Sequence, residues 1–382
     1  TYTRAAASEL RGKIAKALTE RMERDPGDEH LRRQMLRVYR ADIKTVDAFC
    51  TALLRENCHL LGEDACGHTL RPDFRVLDEN DAQTLRERVL SRTLDDFYDD
   101  LTPGGALLAD TLGAGRDDSA LEALVLELHA KLQAQPYEHK WLDAQRALWS
   151  KVPEKIEDTP YGKILLREVQ RKARHWQRLM RMAVQEMTQN DALNQKYAPA
   201  FLDVSYQLEV LTVKAGESWD AARGVSIAFP RLAPVKDSDG GELKARMKAL
   251  WDGCKAAVKS FGEQFAASSG EAAEDLRTMA PAMLALIDLT ADFSRRYNEE
   301  KRRRNAADFS DQEHEAIRLL IGEDGTPTDL ANTVSARYRE IMVDEYQDTN
   351  EVQNRIFEAI SCKGENLFTV GDVKQSIYRF RL

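Results

Sequence analysis

The chain has 382 residues, 43% of them hydrophobic, and a formal net charge of −9 at pH 7. That is enough apolar material for two domains or three, and the acidic balance argues against a general nucleic-acid coat while leaving room for a local basic groove. Five cysteines without secretory spacing point to a reducing cytoplasm, and no apolar run approaches the roughly 18 residues of a membrane span.

Thr1-Tyr2-Thr3-Arg4 leads into a helix with Ala6, Leu10, Ile14, Ala17 and Leu18 on one face. A ring between two hydroxyls at a helix start suits a base stacked on the ring and a phosphate held by the hydroxyls and the helix N-terminus. Asp25-Pro26-Gly27-Asp28 is a turn. A second helix then carries Val46, Phe49, Cys50, Leu53 and Leu54, with Thr45 at its N-cap, where the hydroxyl satisfies the helix, a DNA phosphate or both. Cys58-His59 and Cys66-Gly67-His68 do not suggest zinc, because no CxxC pair accompanies them. Asp73 to Glu79 reads as a short strand with an acidic exit; no sensor-like strand follows, so the Asp78-Glu79 pair is assigned to a helix cap rather than to a metal.

From about residue 80 to 300 the pattern is helical: Leu85, Val89, Leu90 and Leu94, then Leu121, Leu124, Val125 and Leu128, with breaks expected at 102–119, 230–241 and 267–271. Arg167, Arg171, Arg174, Arg178 and Arg181 share a helical stripe, which suits either a solvated face or a face against DNA. Arg295-Arg296 and Lys301-Arg302-Arg303-Arg304, diluted by Glu299 and Glu300, read as solvated surface. The tryptophans default to core packing. Asp308-Phe309-Ser310-Asp311 precedes a helix with Ala316, Leu319 and Leu320, and its charges suggest no chemistry of their own.

Ile341-Met342-Val343 runs straight into Asp344-Glu345 and reads as a buried parallel strand whose C-terminal edge presents acid, where ligands bind in open α/β sheets. Asp348 is expected to cap the next helix, with Glu351 as its capping-box partner and Val352, Ile356 and Ile360 on one face. Leu367-Phe368-Thr369-Val370 is a second strand, entering Gly371-Asp372-Val373-Lys374-Gln375-Ser376-Ile377-Tyr378-Arg379-Phe380-Arg381; strand, helix and strand make a βαβ unit. The acid pair suits nucleoside triphosphate hydrolysis, with Asp344 holding Mg²⁺ and Glu345 orienting and deprotonating the attacking water. Gln375 is an uncharged donor able to sense a γ-phosphate. Tyr378 and Phe380, interleaved with Arg379 and Arg381, suit single-stranded nucleic acid, each stacked base being worth about 1–3 kcal/mol. Tyr378 lies three residues after Gln375, a spacing expected to couple phosphate state to strand grip.

Residues 343–350 (Val-Asp-Glu-Tyr-Gln-Asp-Thr-Asn) and 370–382 (Val-Gly-Asp-Val-Lys-Gln-Ser-Ile-Tyr-Arg-Phe-Arg-Leu) resemble helicase motifs II and III of the UvrD/Rep branch of superfamily 1. The second is most similar to the AddA-type helicase–nuclease subunits. Thr1 to Arg4 resembles motif Ia, with Arg4 where Asn is usual. Thr45 to Cys50 resembles motif Ib, with Asp47 where His is usual; an acid repels phosphate, so no DNA contact is assigned to Asp47.

The resemblance implies an α/β fold: part of a RecA-like P-loop motor domain, with a parallel sheet, interrupted by a large all-helical insertion. The expected divisions are 1–79 and 301–382 for the motor and 80–300 for the insertion. It implies ATP and Mg²⁺ as cofactors, Glu345 and Gln375 as catalytic, Asp344 and Asp372 at the nucleotide, and Asp344 on the metal. It places Thr1, Tyr2, Thr3, Thr45, Tyr378, Phe380 and Arg381 on DNA. The implied activity is a 3′–5′ helicase acting on single-stranded and duplex DNA with an AddB-like subunit, in double-strand-break repair and recombination, in the nucleoid-associated bacterial cytoplasm. The alternatives are a UvrD/Rep-type repair helicase without a nuclease and a non-catalytic DNA-binding scaffold; intact Asp344, Glu345 and Gln375 argue against the scaffold. No G-x-x-x-x-G-K-[ST] phosphate loop occurs. The chain is therefore expected to be part of a longer polypeptide lacking here its second motor and nuclease domains, to carry half a nucleotide site, and not to hydrolyse ATP alone.

Overall fold

The computed structural model describes residues 1, 3–63, 67–112, 119–236, 241–361, 364–372 and 374. The chain divides into two compact units, Thr1–Arg146 with Leu284–Leu382, and Ala147–Met283. In chain order come α1 (Arg4–Arg24), α2 (Glu29–Val38), α3 (Val46–Asn57), β1 (Arg75–Val76), α4 (Glu79–Asp99), α5 (Pro103–Leu112), α6 (Ser119–Gln133) and α7 (Glu138–Ser150). The second unit holds α8 (Pro160–Met187), α9 (Asp191–Glu217), α10 (Trp219–Arg223), α11 (Gly241–Gln264) and the start of α12 (Ser269–Arg303). The first unit resumes with β2 (Ala306–Ala307), α13 (Phe309–Leu320), α14 (Asp329–Ser335), β3 (Ile341–Val343), α15 (Glu351–Ile360) and β4 (Leu367–Thr369).

The described strands form two small parallel sheets. β1 pairs with β2, Arg75 opposite Ala306 and Val76 opposite Ala307. β3 pairs with β4, Ile341 opposite Leu367 and Val343 opposite Thr369. The crossover through α15 is the βαβ unit expected from the sequence. α13 packs against both α3 and α15 and is the spine of the first unit's core. Cys50, Leu54, Leu320, Val352 and Ile356 are fully buried around it, each aliphatic contributing about 1.5–3 kcal/mol by removal from water. In the second unit α8 packs along α9, and Trp219 and Trp251 lie in the core with Tyr197 and Phe201.

Local signals explain most of the helix starts. Thr3 caps α1, accepting from Ala6 N at 3.0 Å. Thr45 caps α3, accepting from Ala48 N at 3.1 Å. Asp78 caps α4 through Asp81 N at 2.9 Å.

Several expectations are corrected. β3 is not buried throughout: Val343 is 4% exposed, but Met342 is 68% and its neighbour Phe368 61%. Successive residues of a strand point to opposite faces, and only the face toward α13 and α15 is covered. Asp348 does not cap α15. A single turn of tighter helix, Tyr346–Asp348, intervenes, and Asn350 takes the cap by accepting from Gln353 N at 2.7 Å. The break expected at 102–119 contains α5, whose Leu108 is buried. On α1 only Ala7 is buried, and Ile14 is 40% exposed.

Lys301 corrects the reading of its cluster as solvated surface, since only 1% of its side chain is exposed. Its ammonium donates to Asp308 at 2.9 Å and to Asp311 at 2.7 Å, and lies 4.0 Å from the Tyr297 ring centroid. Tyr297 donates to Asp308 at 3.0 Å. Asp308 and Asp311 also form a reciprocal capping box at the start of α13. One buried ammonium thus fastens the end of α12 to the start of α13, and every charge in the group has a partner.

Candidate nucleotide site and DNA-facing surface

The site grows from the exit of β3. Chain direction turns sharply at Glu345, whose backbone lies in the left-handed region (φ 56°, ψ 39°), uncommon for any residue but glycine. Asp344 is half-buried; one of its carboxylate oxygens accepts from Glu345 N at 3.0 Å, and the other accepts no hydrogen bond among the described residues. The neighbouring charges are basic. Lys13 is pushed up chiefly by its bond to Glu9, with a smaller contribution from Asp344.

The turns after β3 and β4 are stitched together. Val370 N donates to Val343 O at 2.9 Å and Tyr346 N to Val370 O at 2.8 Å. The Gln347 side chain completes the join: its Nε2 donates to Glu345 Oε2 at 2.5 Å and its Oε1 accepts from Asp372 N at 2.9 Å. Gly371 is required for this approach, because a Cβ there would stand 2.6 Å from Gln347 Oε1 and 3.0 Å from Gln347 N. Asp372 in turn accepts from Lys374 N at 3.0 Å, closing a short turn. Behind the site, Glu313 on α13 accepts from Gln353 Nε2 at 2.6 Å and Asn350 Nδ2 at 3.5 Å, fixing the first turn of α15. Burial raises the pKa of Glu313 above the ordinary glutamate value.

A family model described as the UvrD/REP helicase N-terminal domain matches residues 1–382. The chain belongs to the UvrD/REP helicase family. Curated relatives named as ATP-dependent helicase/nuclease proteins (the A-type subunit) match it throughout: 32% identical over 396 residues in Ruminiclostridium cellulolyticum, 32% over 401 in Acetivibrio thermocellus and 34% over 410 in Desulfitobacterium hafniense. Those matches take in all of this chain but 31%, 31% and 28% of the respective relatives, so the chain spans about three-tenths of their length.

Within this UvrD/REP chain the structure brings part of the expected site together. Asp344, Glu345 and Asp372 converge on the joined exits of β3 and β4. Thr1 and Thr45 also come together: the backbone nitrogen of Thr1 donates to Lys44 O at 3.4 Å, and Arg11 Nη2 donates to Ala41 O at 3.3 Å and Ile43 O at 3.2 Å. Thr3 is exposed at the start of α1, whereas Thr45 is 7% exposed with its hydroxyl committed to the cap. Tyr2, Gln375, Tyr378, Phe380 and Arg381 lie outside the described residues.

Sequence reasoning missed Gln347, Gly371 and Glu313. The signal available was slight: an amide two residues after the second acid, and a glycine just past an apolar strand. Asp344 is half-buried and Glu345 exposed. A cavity of about 840 Å³ lies elsewhere in the first unit, lined by Tyr137, Glu138, Lys301, Arg302, Asp311 and His314, and no described residue of either motif lines it. In the second unit Arg167, Arg171, Arg174 and Arg178 are exposed along α8. Glu168 pairs with Lys172 at 2.8 Å and lies 3.8 Å from Arg171, and Glu209 holds Arg181 at 2.7 Å. Arg174 and Arg178 have no acidic partner among the described residues.

Proposed function

We propose that this chain is the first motor segment of an ATP-driven DNA translocase, a 3′–5′ helicase within a bacterial helicase–nuclease that processes double-strand breaks. The observation that carries the reading is the acid pair Asp344-Glu345 at the C-terminal edge of a parallel strand, joined through one side chain to the exit of the neighbouring strand. That edge is where α/β sheets bind nucleotides, and the name its relatives carry supplies the ATP-dependent helicase/nuclease activity.

Magnesium fits the residues present. A carboxylate oxygen of Asp344 accepts nothing among the described residues, and carboxylate oxygen is the ligand type this ion takes. Magnesium is usually held by one or two carboxylates together with substrate phosphates rather than by a protein cage. When bound, the ion neutralises charge on the phosphate oxygens. Asp344 would hold it. Glu345 would orient the attacking water and accept its proton. Gln375 would sense the γ-phosphate, and Asp372 would stand at the nucleotide.

On the DNA side, Thr1, Tyr2, Thr3 and Thr45 would hold one stretch of the strand, and Tyr378, Phe380 and Arg381 another, with bases stacked on the rings. The uncompensated Arg174 and Arg178 favour a duplex-facing role for α8. We divide the chain into a RecA-like motor, 1–79 and 301–382, and an all-helical insertion, 80–300; no described strand falls between Val76 and Ala306. An AddB-like subunit is the expected partner and the bacterial cytoplasm the expected setting; no described helix is long and apolar enough to cross a membrane.

The test uses the full-length protein. Asp344→Asn should raise the magnesium concentration needed for half-maximal DNA-stimulated ATP hydrolysis at least about tenfold, since a ligand charge is lost. An unchanged magnesium requirement would contradict the assignment.

A further inference from the structure

We propose that Gln347 is a positioning residue for hydrolysis, holding the Glu345 carboxylate in place and tying it to the peptide N–H of Asp372. This rests on the role proposed above for Glu345. The amide is used at both ends: Nε2 donates to Glu345 Oε2 at 2.5 Å while Oε1 accepts from Asp372 N at 2.9 Å. A primary amide offers a donor and an acceptor on one planar, uncharged group, which is what the two contacts use. A carboxylate would keep the second bond and turn the first into a repulsion.

The surroundings are built for this contact. Glu345 leaves β3 through a left-handed backbone, a conformation that costs about 1–2 kcal/mol for an L-residue. The turn is held by Tyr346 N to Val370 O at 2.8 Å and Asp348 N to Glu345 O at 3.0 Å. Those bonds fix the backbone but leave the Glu345 side chain, which is solvent-exposed, with several rotamers. Gln347 removes that freedom. Gly371 lacks the one atom that would block the amide. The consequence is mechanical: the acid assigned to the attacking water and the loop that leaves β4 are coupled through two hydrogen bonds, so a shift of that loop re-aims the acid.

Three variants of the full-length protein test this, by the kcat and KM of steady-state DNA-stimulated ATP hydrolysis. Gln347→Met keeps the volume and removes both bonds; kcat should fall about 10- to 100-fold with the KM for ATP within about twofold. Gln347→Glu keeps the bond to Asp372 but sets a second carboxylate against Glu345 in place of the donor, and should lower kcat at least as far as Gln347→Met with the KM for ATP again within about twofold. Gly371→Ala alters no functional group but displaces the amide, and should lower kcat at fixed KM.

The proposal is overturned if Gln347→Met retains wild-type kcat, if Gln347→Glu turns over faster than Gln347→Met, or if losses in all three variants only follow a reduced folded fraction measured by thermal melting. Glu345→Gln separates the two levels. If it remains active, the hydrolytic reading itself fails. If it is inactive while the Gln347 variants behave as wild type, the positioning claim alone fails.

Discussion

Replacing Lys301 by Met should expose how the first unit is held together. In the native chain one buried ammonium serves two buried carboxylates, at 2.9 and 2.7 Å. Burial would raise Asp308, but the Lys301 ammonium and its hydrogen bonds outweigh that and hold it at about 2. Burial and the charge of Asp308 push Asp311 up to about 6, against the pull of Lys301. Methionine fills similar volume and leaves both carboxylates uncompensated, which costs about 3–5 kcal/mol when one partner of a buried ion pair is removed. For a unit of this size that lowers its melting temperature by roughly 10 °C.

The sign with pH follows from which state binds protons more tightly. A carboxylate raised in the folded state favours folding as pH falls toward its unfolded value; one held low gives stability that is lost only in strong acid. Without the ammonium both carboxylates shift up, so protonation relieves the variant more than the wild type. The stability gap should therefore be widest near about pH 7 and shrink toward about pH 5. Thermal and urea unfolding at the two pH values measure it. A variant that melts with the wild type at neutral pH, or a gap that does not change with pH, would refute the reasoning.

Charge reversal of the α8 stripe, Arg174→Glu with Arg178→Glu, should weaken duplex DNA binding by the full-length protein and reduce the slope of log K against log salt by about 0.9 for each phosphate no longer neutralised, with melting unchanged; an identical slope would assign the stripe to solvent. His314 has both ring nitrogens against carbonyl oxygens, Ser310 O at 2.9 Å and Gln135 O at 3.0 Å, with Glu138 at 3.6 Å. Burial pulls its pKa down, but Glu138 and those carbonyls win and raise it, so its stabilisation is complete below the unfolded value and is lost as pH rises through the folded one. An NMR titration giving a value below that of a free histidine would contradict this. Asn350→Ala should cost about 1 kcal/mol by removing the cap of α15, whereas Asp348→Ala should not destabilise that helix start; denaturant unfolding of the pair distinguishes the observed cap from the one expected by spacing.

What the sequence made legible was local. Apolar runs ending in Asp-Glu and Gly-Asp gave the β3–α15–β4 unit, and hydroxyl or acid before a periodic run gave the caps at Thr45 and Asp78. These signals work because strand alternation, turns and capping depend on neighbours within a few residues. Contacts joining distant segments were hidden. Gln347 meets Asp372 across a helix, and nothing in either sequence window marks the pair. Lys301 looked solvated because it stands in a charge run, yet its carboxylate partners follow a chain reversal at Asn305, another residue with positive φ. The Asp348 cap failed because a tight turn inserts two residues that spacing rules do not foresee.

The account stands most directly on turnover by full-length protein carrying Glu345→Gln, measured with single-stranded DNA present and with ATP binding followed in parallel. Loss of the base should lower kcat at least about 100-fold while ATP still binds. Hydrolysis at the wild-type rate would remove the acid pair from the chemistry and the account with it.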